Sequence, residues 1–284
     1  VPSLGGTAVL HITSFFDQRW EVQEPGTQDF LGSQVSVTDV FKSDGGISTA
    51  QVGWAHRLGD DLSIGVSVGS RIGSVTRRFT RLIDEEAVTG TVPFGTGGSW
   101  QYSGALASVG FQWDPLRVLR LGGVLNWSGD VKAKPEPGTG GGTVKFDVPT
   151  EYRVGASGVL SPRLALSLGA SYSDWKASNE FLSSDVLVGS VWSFGGGVEW
   201  AGPQLGARNF PIRLGAKRSA MPFTFEGENP VESVLTGGIG LNLVPSQAGF
   251  IGAVDIAFER GSREAGSLSE SFWRASLTFR VGSF

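Results

Sequence analysis

The chain has 284 residues, of which 18% are charged, 43 are glycine and none is cysteine. The formal net charge of −4, with the basic residues scattered, argues against a nucleic-acid partner. The lack of cysteine excludes disulfides and thiol chemistry, and no apolar run approaches the ~18 residues of a membrane-spanning helix.

The first forty-six residues contain two alternating segments. Residues 7–23 alternate apolar and polar side chains, which predicts a strand. EPGTQD at 24–29 predicts a break, and residues 30–41 predict the next strand. KSDGG at 42–46 predicts a turn, because glycine and aspartate suit tight turns.

The alternation becomes regular from residue 47. ISTAQVGWAHRL (47–58) and LSIGVSVGSRI (62–72) predict a hairpin around the turn at 59–61. A polar insertion at about 75–97 follows, and residues 98–113 predict another strand.

The rest of the chain repeats this pattern up to a closing hairpin. Its predicted strands lie at 117–131, 143–160, 164–172, 186–200, 209–219 and 231–244, and in two runs between Phe250 and Phe284. Short predicted turns at 59–61, 114–116, 161–163 and 245–249 alternate with longer loops. Outer-membrane barrels have this asymmetry between short periplasmic turns and long extracellular loops.

Aromatic residues recur eight positions apart on the apolar side of the strands, as in Trp192/Trp200 and Phe250/Phe258. Eight residues in a strand tilted by about 40° rise roughly 20 Å, close to the ~25 Å apolar band between the aromatic girdles of membrane barrels. A soluble β-sandwich also alternates, but it gives no reason for a fixed separation. We therefore predict an all-β fold, a transmembrane antiparallel β-barrel in the bacterial outer membrane, with the lipid bilayer as a partner.

The strand count bears on the domain organisation. Thirteen strands are visible, whereas single-chain bacterial barrels have an even number. Either a fourteenth strand lies upstream of Val1, or residues 7–41 hold a different number of strands. We expect the fourteenth strand, and any plug, upstream of Val1, with residues 1–284 forming one barrel domain.

The sequence does not favour an enzyme. Its two histidines, His11 and His56, lie in strands without a convincing catalytic neighbour. GTGGGT at 138–143 does not open a helix, so we expect a flexible loop and no phosphate site. Acidic residues at 84–86 could bind calcium, although a solvated loop is the simpler interpretation. We expect no cofactor and no metal site.

Alternation divides the side chains between lipid and lumen. The predicted lipid-facing aromatics form two belts: Trp54, Trp113, Trp127, Tyr172, Trp192, Trp200, Phe258 and Trp273. The predicted lumenal ligand contacts combine apolar with basic groups: Trp100, Tyr102, Leu106, Val124, Phe272, Arg213, Lys217 and Arg274. The apolar members fit contact with a hydrophobic ligand and packing against a plug equally well. Placing residue 260 opposite 269 in the closing hairpin also predicts an Asp255–Arg274 pair.

Three segments resemble the long-chain fatty-acid transporter (FadL-like) barrels. They are GGISTAQVGWAHRLGDDLSIGVSVGSRIGS (45–74), FPIRLGAKRSAMPF (210–223) and the closing hairpin. The resemblance implies a fourteen-stranded barrel with a plug and a lateral opening, which passes hydrophobic molecules across the outer membrane. The family's Asn-Pro-Ala plug signature is absent from this sequence, and Phe284 is out of phase with Val281.

Three functions follow as hypotheses. The first is passive transport of hydrophobic small molecules such as long-chain fatty acids. The second is a barrel subunit or scaffold of a larger secretion or surface assembly, with protein partners at the extracellular loops. The third is a general porin.

Overall fold

The computed structural model describes residues 2–3, 5–30, 32–83, 93–176, 178, 188–205, 208–243 and 250–283. Almost all of these residues belong to β-strands or to the turns between them. No helix in the described ranges has the length and hydropathy needed to cross a membrane. In chain order the strands are β1 (Pro2–Ser3), β2 (Gly6–Asp17), β3 (Trp20–Phe30), β4 (Ser33–Leu58), β5 (Leu62–Ile83), β6 (Phe94–Leu116), β7 (Leu119–Ser128), β8 (Val131–Pro135), β9 (Val144–Phe146), β10 (Glu151–Ser161), β11 (Leu164–Asp174), β12 (Ser190–Trp200), β13 (Gln204–Leu205), β14 (Arg208–Asn209), β15 (Ile212–Ala220), β16 (Val231–Asn242), β17 (Phe250–Ala265) and β18 (Leu268–Ser283).

The chain divides into two compact units. The first unit comprises Val1–Trp54, Ser67–Ala107 and Ser128–Val148. The second unit comprises Ala55–Val66, Ser108–Trp127 and Pro149–Phe284.

In the first unit, β2 and β3 both pair with β4, so that β3 continues the hairpin beyond β2. Between them, the Gln18 amide donates a 3.0 Å hydrogen bond to the carbonyl of Gly45. Gly45 has a φ of 123°, and a Cβ there would lie 2.1 Å from the Ser74 carbonyl oxygen. Glycine therefore lets β4 bend without ending.

Two predicted boundaries in this region are wrong. The predicted turn at 42–46 lies inside β4, and the predicted break at 24–29 lies inside β3. The segments 30–41 and 47–58 are largely one strand, so the predicted count of thirteen includes that strand twice. The expectation of a fourteenth strand, which rested on an odd count, loses that support.

The predicted polar insertion at about 75–97 is also largely strand. β5 continues to Ile83 and β6 begins at Phe94, while the acidic run at 84–86 lies outside the described residues. β8 pairs with the first half of β6, from Trp100↔Pro135 to Ser103↔Lys132, and β9 pairs with β8.

Side chains in the first unit pack against one another. Arg81 forms a bidentate pair with Asp39, with both N–O distances at 2.6 Å. The Phe79 ring lies 5.1 Å from the Phe41 ring and 6.4 Å from the Phe94 ring. Seven apolar residues of this unit are at most 7% exposed: Val35, Val37, Ile47, Val75, Leu106, Val131 and Ala133.

The strands β7-β10-β11-β12-β15-β16-β17-β18 of the second unit pair in this order, and each pairing is antiparallel. Short turns at 59–61 and 162–163 join neighbouring strands, as the sequence predicts. The predicted turn at 114–116 is displaced to 117–118, because β6 extends to Leu116. The predicted turn at 245–249 lies outside the described residues.

The closing hairpin is longer than predicted. β17 and β18 pair from Phe250↔Ser283 to Ala265↔Leu268, around Gly266 (φ 52°) and Ser267. The predicted register is therefore wrong, because the strands continue into the polar segment and the turn is centred on residues 266–267, two positions later than the prediction requires. Arg274 lies opposite Glu259, and Asp255 lies opposite Thr278.

Candidate functional site

Strand register divides the side chains of the second unit between two faces. Residues paired across antiparallel strands point to the same side of the sheet, and neighbours along a strand point to opposite sides. One row crosses eight strands through Arg120, Ser157, Ser167, Gly197, Gly215, Thr236, Glu259 and Arg274. We call the side that contains this row the polar face. By the same register it also carries Val124, Arg153, Glu199, Arg213, Lys217, Asp255, Phe272 and Arg280.

The other side of these strands is the apolar face. One of its rows runs through Leu121, Ala156, Leu168, Gly196, Ala216, Leu235, Arg260 and Trp273. The register also assigns to it Tyr172, Trp192, Trp200, Leu214, Ile239, Ile256, Phe258, Leu277 and Phe279.

The aromatics predicted to face lipid are all accessible. Five of them lie on the apolar face by register: Tyr172, Trp192, Trp200, Phe258 and Trp273. Trp273 is the most exposed of these, at 70%. Trp113 and Trp127 in the second unit, and Trp54 in the first, are also exposed.

An open cavity of about 1240 Å³ lies against the polar face. Short side chains line its middle, so the wall leaves space there. These residues include Ser167, Gly169, Ser193, Gly195, Gly197 and Thr236.

One ion-pair cluster of the polar face is centred on Asp255, and two of its members, Glu199 and Arg213, line the cavity. Arg213 donates hydrogen bonds to both Glu199, at 2.5 Å, and Asp255. Arg280 donates to the other oxygen of Asp255 at 2.9 Å. Gly240 makes room for this cluster, since a Cβ there would lie 2.6 Å from Asp255 Oδ1. Four charged groups thus neutralise one another on the polar face.

A second ion-pair group surrounds Phe272. The Arg263 and Arg274 guanidiniums lie 4.9 and 5.4 Å from the centre of its ring. Arg274 pairs with Glu259 at 2.7 Å, and Arg263 pairs with Glu232 at 2.9 Å.

Phe272 lies flat against the strand beside it. A Cβ at Gly261 would lie 2.2 Å from the Phe272 ring, so only glycine allows this approach. The ring is therefore held against the wall and remains partly exposed.

Lys217 differs from the arginines of the polar face. Its side chain is exposed, and among the described residues it forms no ion pair with a carboxylate. It projects beside the cavity, next to the glycines of β12.

The predicted lumenal residues fall in both units. Trp100 and Tyr102 are half-buried in the first unit, where they pair with β8, and Leu106 is 7% exposed there. Val124, Phe272, Arg213, Lys217 and Arg274 share the polar face of the second unit. The carboxylate partners of Arg213 and Arg274 depend on register, which the alternation of a sequence does not give.

Sequence reasoning missed two arginines on the apolar face. Arg218 and Arg260 follow polar-face residues in the chain and so break the apolar phase of their strands. That break was the available signal.

A loop outside the strands carries one perturbed carboxylate. Glu226 accepts hydrogen bonds from the Ser267 amide at 3.0 Å and the Ser267 hydroxyl at 2.8 Å. These bonds hold the pKa of Glu226 below its usual range. They link the loop after β15 to the turn between β17 and β18.

A sheet of long antiparallel strands with one apolar and one polar face is the architecture of membrane β-barrels. Comparison with solved structures confirms the predicted fold class and, at the level of the fold, the resemblance to FadL-like barrels. No protein-family model matches the chain, and no curated protein matches it in sequence.

Two crystal structures illustrate the likeness. The Ralstonia pickettii toluene transporter TbuX aligns over 98% of this chain and 88% of its own, with a TM-score of 0.55 and 13% identity. A Pseudomonas aeruginosa FadL homologue aligns over 92% of this chain and 75% of its own, with a TM-score of 0.53 and 12% identity. At this level of identity the likeness establishes a shared fold.

Proposed function

We propose that this protein is an outer-membrane β-barrel for passive transport of hydrophobic small molecules. The observation that carries the proposal is the register of the second unit, which separates a polar from an apolar face across eight strands. The apolar face would contact lipid, and the polar face would line the route. The structural likeness to a protein described as a toluene transporter supports this function.

The polar face suits a ligand that needs little charge recognition. Its arginines are paired with carboxylates, so the wall presents balanced charges to a passing molecule. Phe272 and Val124 add apolar surface to that wall. Burial of each methylene contributes ~0.8 kcal/mol, so an acyl chain of about a dozen carbons could bind without a specific polar contact.

Lys217 would distinguish between two classes of hydrophobic ligand. An exposed ammonium group without a carboxylate partner offers a counter-charge to a fatty-acid carboxylate, whereas toluene has no charge to pair. We include long-chain fatty acids in the proposal on this basis.

The test is uptake into proteoliposomes that contain the purified barrel. Labelled toluene and a labelled long-chain fatty acid should both enter faster than they enter empty vesicles. If the wild-type barrel prefers the fatty acid and Lys217→Gln loses that preference, Lys217 binds the carboxylate of the fatty acid. If neither enters faster and small ions pass freely, the transport proposal is wrong.

A general porin is the second candidate. The open cavity of about 1240 Å³, lined by glycine and serine, favours it. Single-channel recording separates the two functions, because a porin gives a steady ionic conductance without any hydrophobic ligand. A barrel that passes neither ions nor hydrophobic molecules would favour the scaffold hypothesis.

A further inference from the structure

Two arginines occupy the apolar face of the second unit. Arg218 lies in register with Phe194 and Ser233, and Arg260 lies in register with Leu235 and Trp273. Both side chains are exposed, and among the described residues neither forms an ion pair with a carboxylate. A lipid-facing arginine is costly at the bilayer midplane and tolerated near the interface.

Their positions along the strands suit the interface. Arg218 lies two residues before the end of β15 at Ala220, and Arg260 lies five residues before the end of β17 at Ala265. These strand ends lie at the same end of the sheet, because Ala220 pairs with Val231 and Val231 pairs with Glu264. Long arginine side chains near a strand end can extend their charge into the head-group region.

An aromatic neighbour supports the same position. The Arg260 guanidinium lies 4.7 Å from the centre of the Trp273 ring, which is 70% exposed. Tryptophan is enriched where a membrane protein meets the head groups, and its ring face attracts cations.

A groove of about 600 Å³ on the same face connects the two arginines. Its apolar lining comprises Leu168, Phe194 and Leu235. Its polar lining comprises Lys217, Arg218, Arg260, Ser233, Ser262 and Ser271. Arg218 and Ser262 share one row of the sheet through Ser233, so guanidinium and hydroxyl donors are grouped together.

We propose that this groove binds a phosphorylated lipid of the surrounding membrane. The lipid phosphate would lie between Arg218 and Arg260, since guanidinium groups donate paired hydrogen bonds to phosphate oxygens. The serine hydroxyls would supply further donors, and an acyl chain would lie along Phe194 and Leu235. The proposal rests on the membrane placement given above, but it does not depend on transport.

The lining of the groove favours a lipid, and not free phosphate, as the ligand that carries the phosphate group. Free phosphate would use the arginines and serines but not the apolar lining of the groove. A phosphorylated lipid matches both parts, and it is present at high local concentration around a membrane-embedded face.

Native mass spectrometry of the detergent-purified barrel tests the proposal. Lipid A with two phosphates, diacylglycerol without a phosphate, and inorganic phosphate would be added in separate titrations. Wild-type protein should retain lipid A at least tenfold better than diacylglycerol and should retain little inorganic phosphate. Arg218→Gln and Arg260→Gln should each weaken lipid A retention several-fold, and the double variant at least tenfold.

Arg120→Gln is the control, because it removes a positive charge on the polar face, outside the groove. It should leave lipid A retention within about twofold of wild type. Arg218→Lys with Arg260→Lys keeps the charge and should restore part of the retention, and heat-modifiable mobility on gels checks that each variant folds. Equal retention by wild type and the double glutamine variant overturns the proposal, as does retention of inorganic phosphate as strong as that of lipid A. Loss of uptake with unchanged lipid retention would count against transport alone.

Discussion

The two units use their side chains differently. The first unit buries seven apolar residues to 7% exposure or less and packs aromatic rings together. In the second unit, the aliphatic side chains among the described residues that reach that level of burial are Val234, Ala253 and Ala265, together with the ring of Pro230. That unit instead pairs charges along one face and exposes large apolar side chains on the other. We infer that packing stabilises the first unit, while strand pairing and contact with lipid stabilise the second.

Deleting a buried side chain should separate the two units most clearly. Ile47 in the first unit is 6% exposed, whereas Ile64 in the second is 41% exposed. Ile47→Ala should cost about 2–5 kcal/mol of folding free energy, because it leaves a cavity, and Ile64→Ala less than half of that. Denaturant-induced unfolding in lipid vesicles measures both. Equal costs would contradict the inferred difference in packing.

A charge on the apolar face should be almost as damaging. Ile256→Arg, near the middle of β17, should cost about 2–4 kcal/mol if this side chain contacts lipid, and Leu166→Arg, at the third residue of β11, should cost less because it lies nearer the interface. Ser167→Arg is the matched control, since it lies beside Leu166 on the polar face. The same unfolding assay applies, and a Ser167→Arg cost equal to that of Leu166→Arg would remove the assignment of the two faces.

Transport should depend on an aromatic residue of the first unit more than on a paired arginine of the second. Trp100→Ala removes apolar contact area, whereas the charge of Arg213 is already balanced by Glu199 and Asp255. We expect Trp100→Ala to lower long-chain fatty-acid uptake several-fold. Arg213→Ala should lower uptake by a smaller factor, because salt screens solvent-exposed charges. Uptake of labelled fatty acid into proteoliposomes measures both effects. A larger loss in Arg213→Ala than in Trp100→Ala would indicate that the ligand is recognised by its charge.

Breaking the Asp255 cluster should change ion preference more than stability. Asp255→Asn leaves Arg213 and Arg280 with less negative charge and should shift any ionic permeability towards anions. The cost in stability should be about 1 kcal/mol, because the arginines are partly solvated. Glu270→Gln is a control, since the 3.6 Å contact of Glu270 with Arg263 is long and exposed. Reversal potentials in a salt gradient measure the shift. An unchanged reversal potential in Asp255→Asn would show that the cluster lies away from the ion route.

The smallest effect concerns the loop contact at Glu226. Its pKa is lowered in the folded state, so its contribution is present above the unfolded value of about 4.5 and is lost as the pH falls through the folded pKa. The protection factor of the Ser267 amide, which corrects for the intrinsic slowing of exchange in acid, should therefore fall as the pH drops below about 4.5. Glu226→Gln should abolish that dependence, and an unchanged pH profile in this variant would show that another group controls the contact.

Local sequence predicted the strands of the second unit well, because the alternation of apolar and polar side chains involves only residues that are adjacent in the chain. The same alternation predicted that Arg213, Lys217 and Arg274 share a face with Phe272. The prediction of strand boundaries failed where a glycine adopts a positive φ inside a strand. At Gly45 the strand bends and continues, whereas the sequence around it is typical of a turn.

The sequence by itself determined the fold class and the separation of polar from apolar side chains, since both follow from residues adjacent in the chain. Only the tertiary structure decided which residues meet across strands. Asp255 was expected opposite Arg274, yet it binds Arg213 and Arg280, because the closing turn is centred on residues 266–267, two residues later than expected, which moves the register by four positions. The groove between Arg218 and Arg260 likewise exists only once three strands are aligned. Alternation fixes the face of each side chain, but the position and length of each turn fix its neighbours.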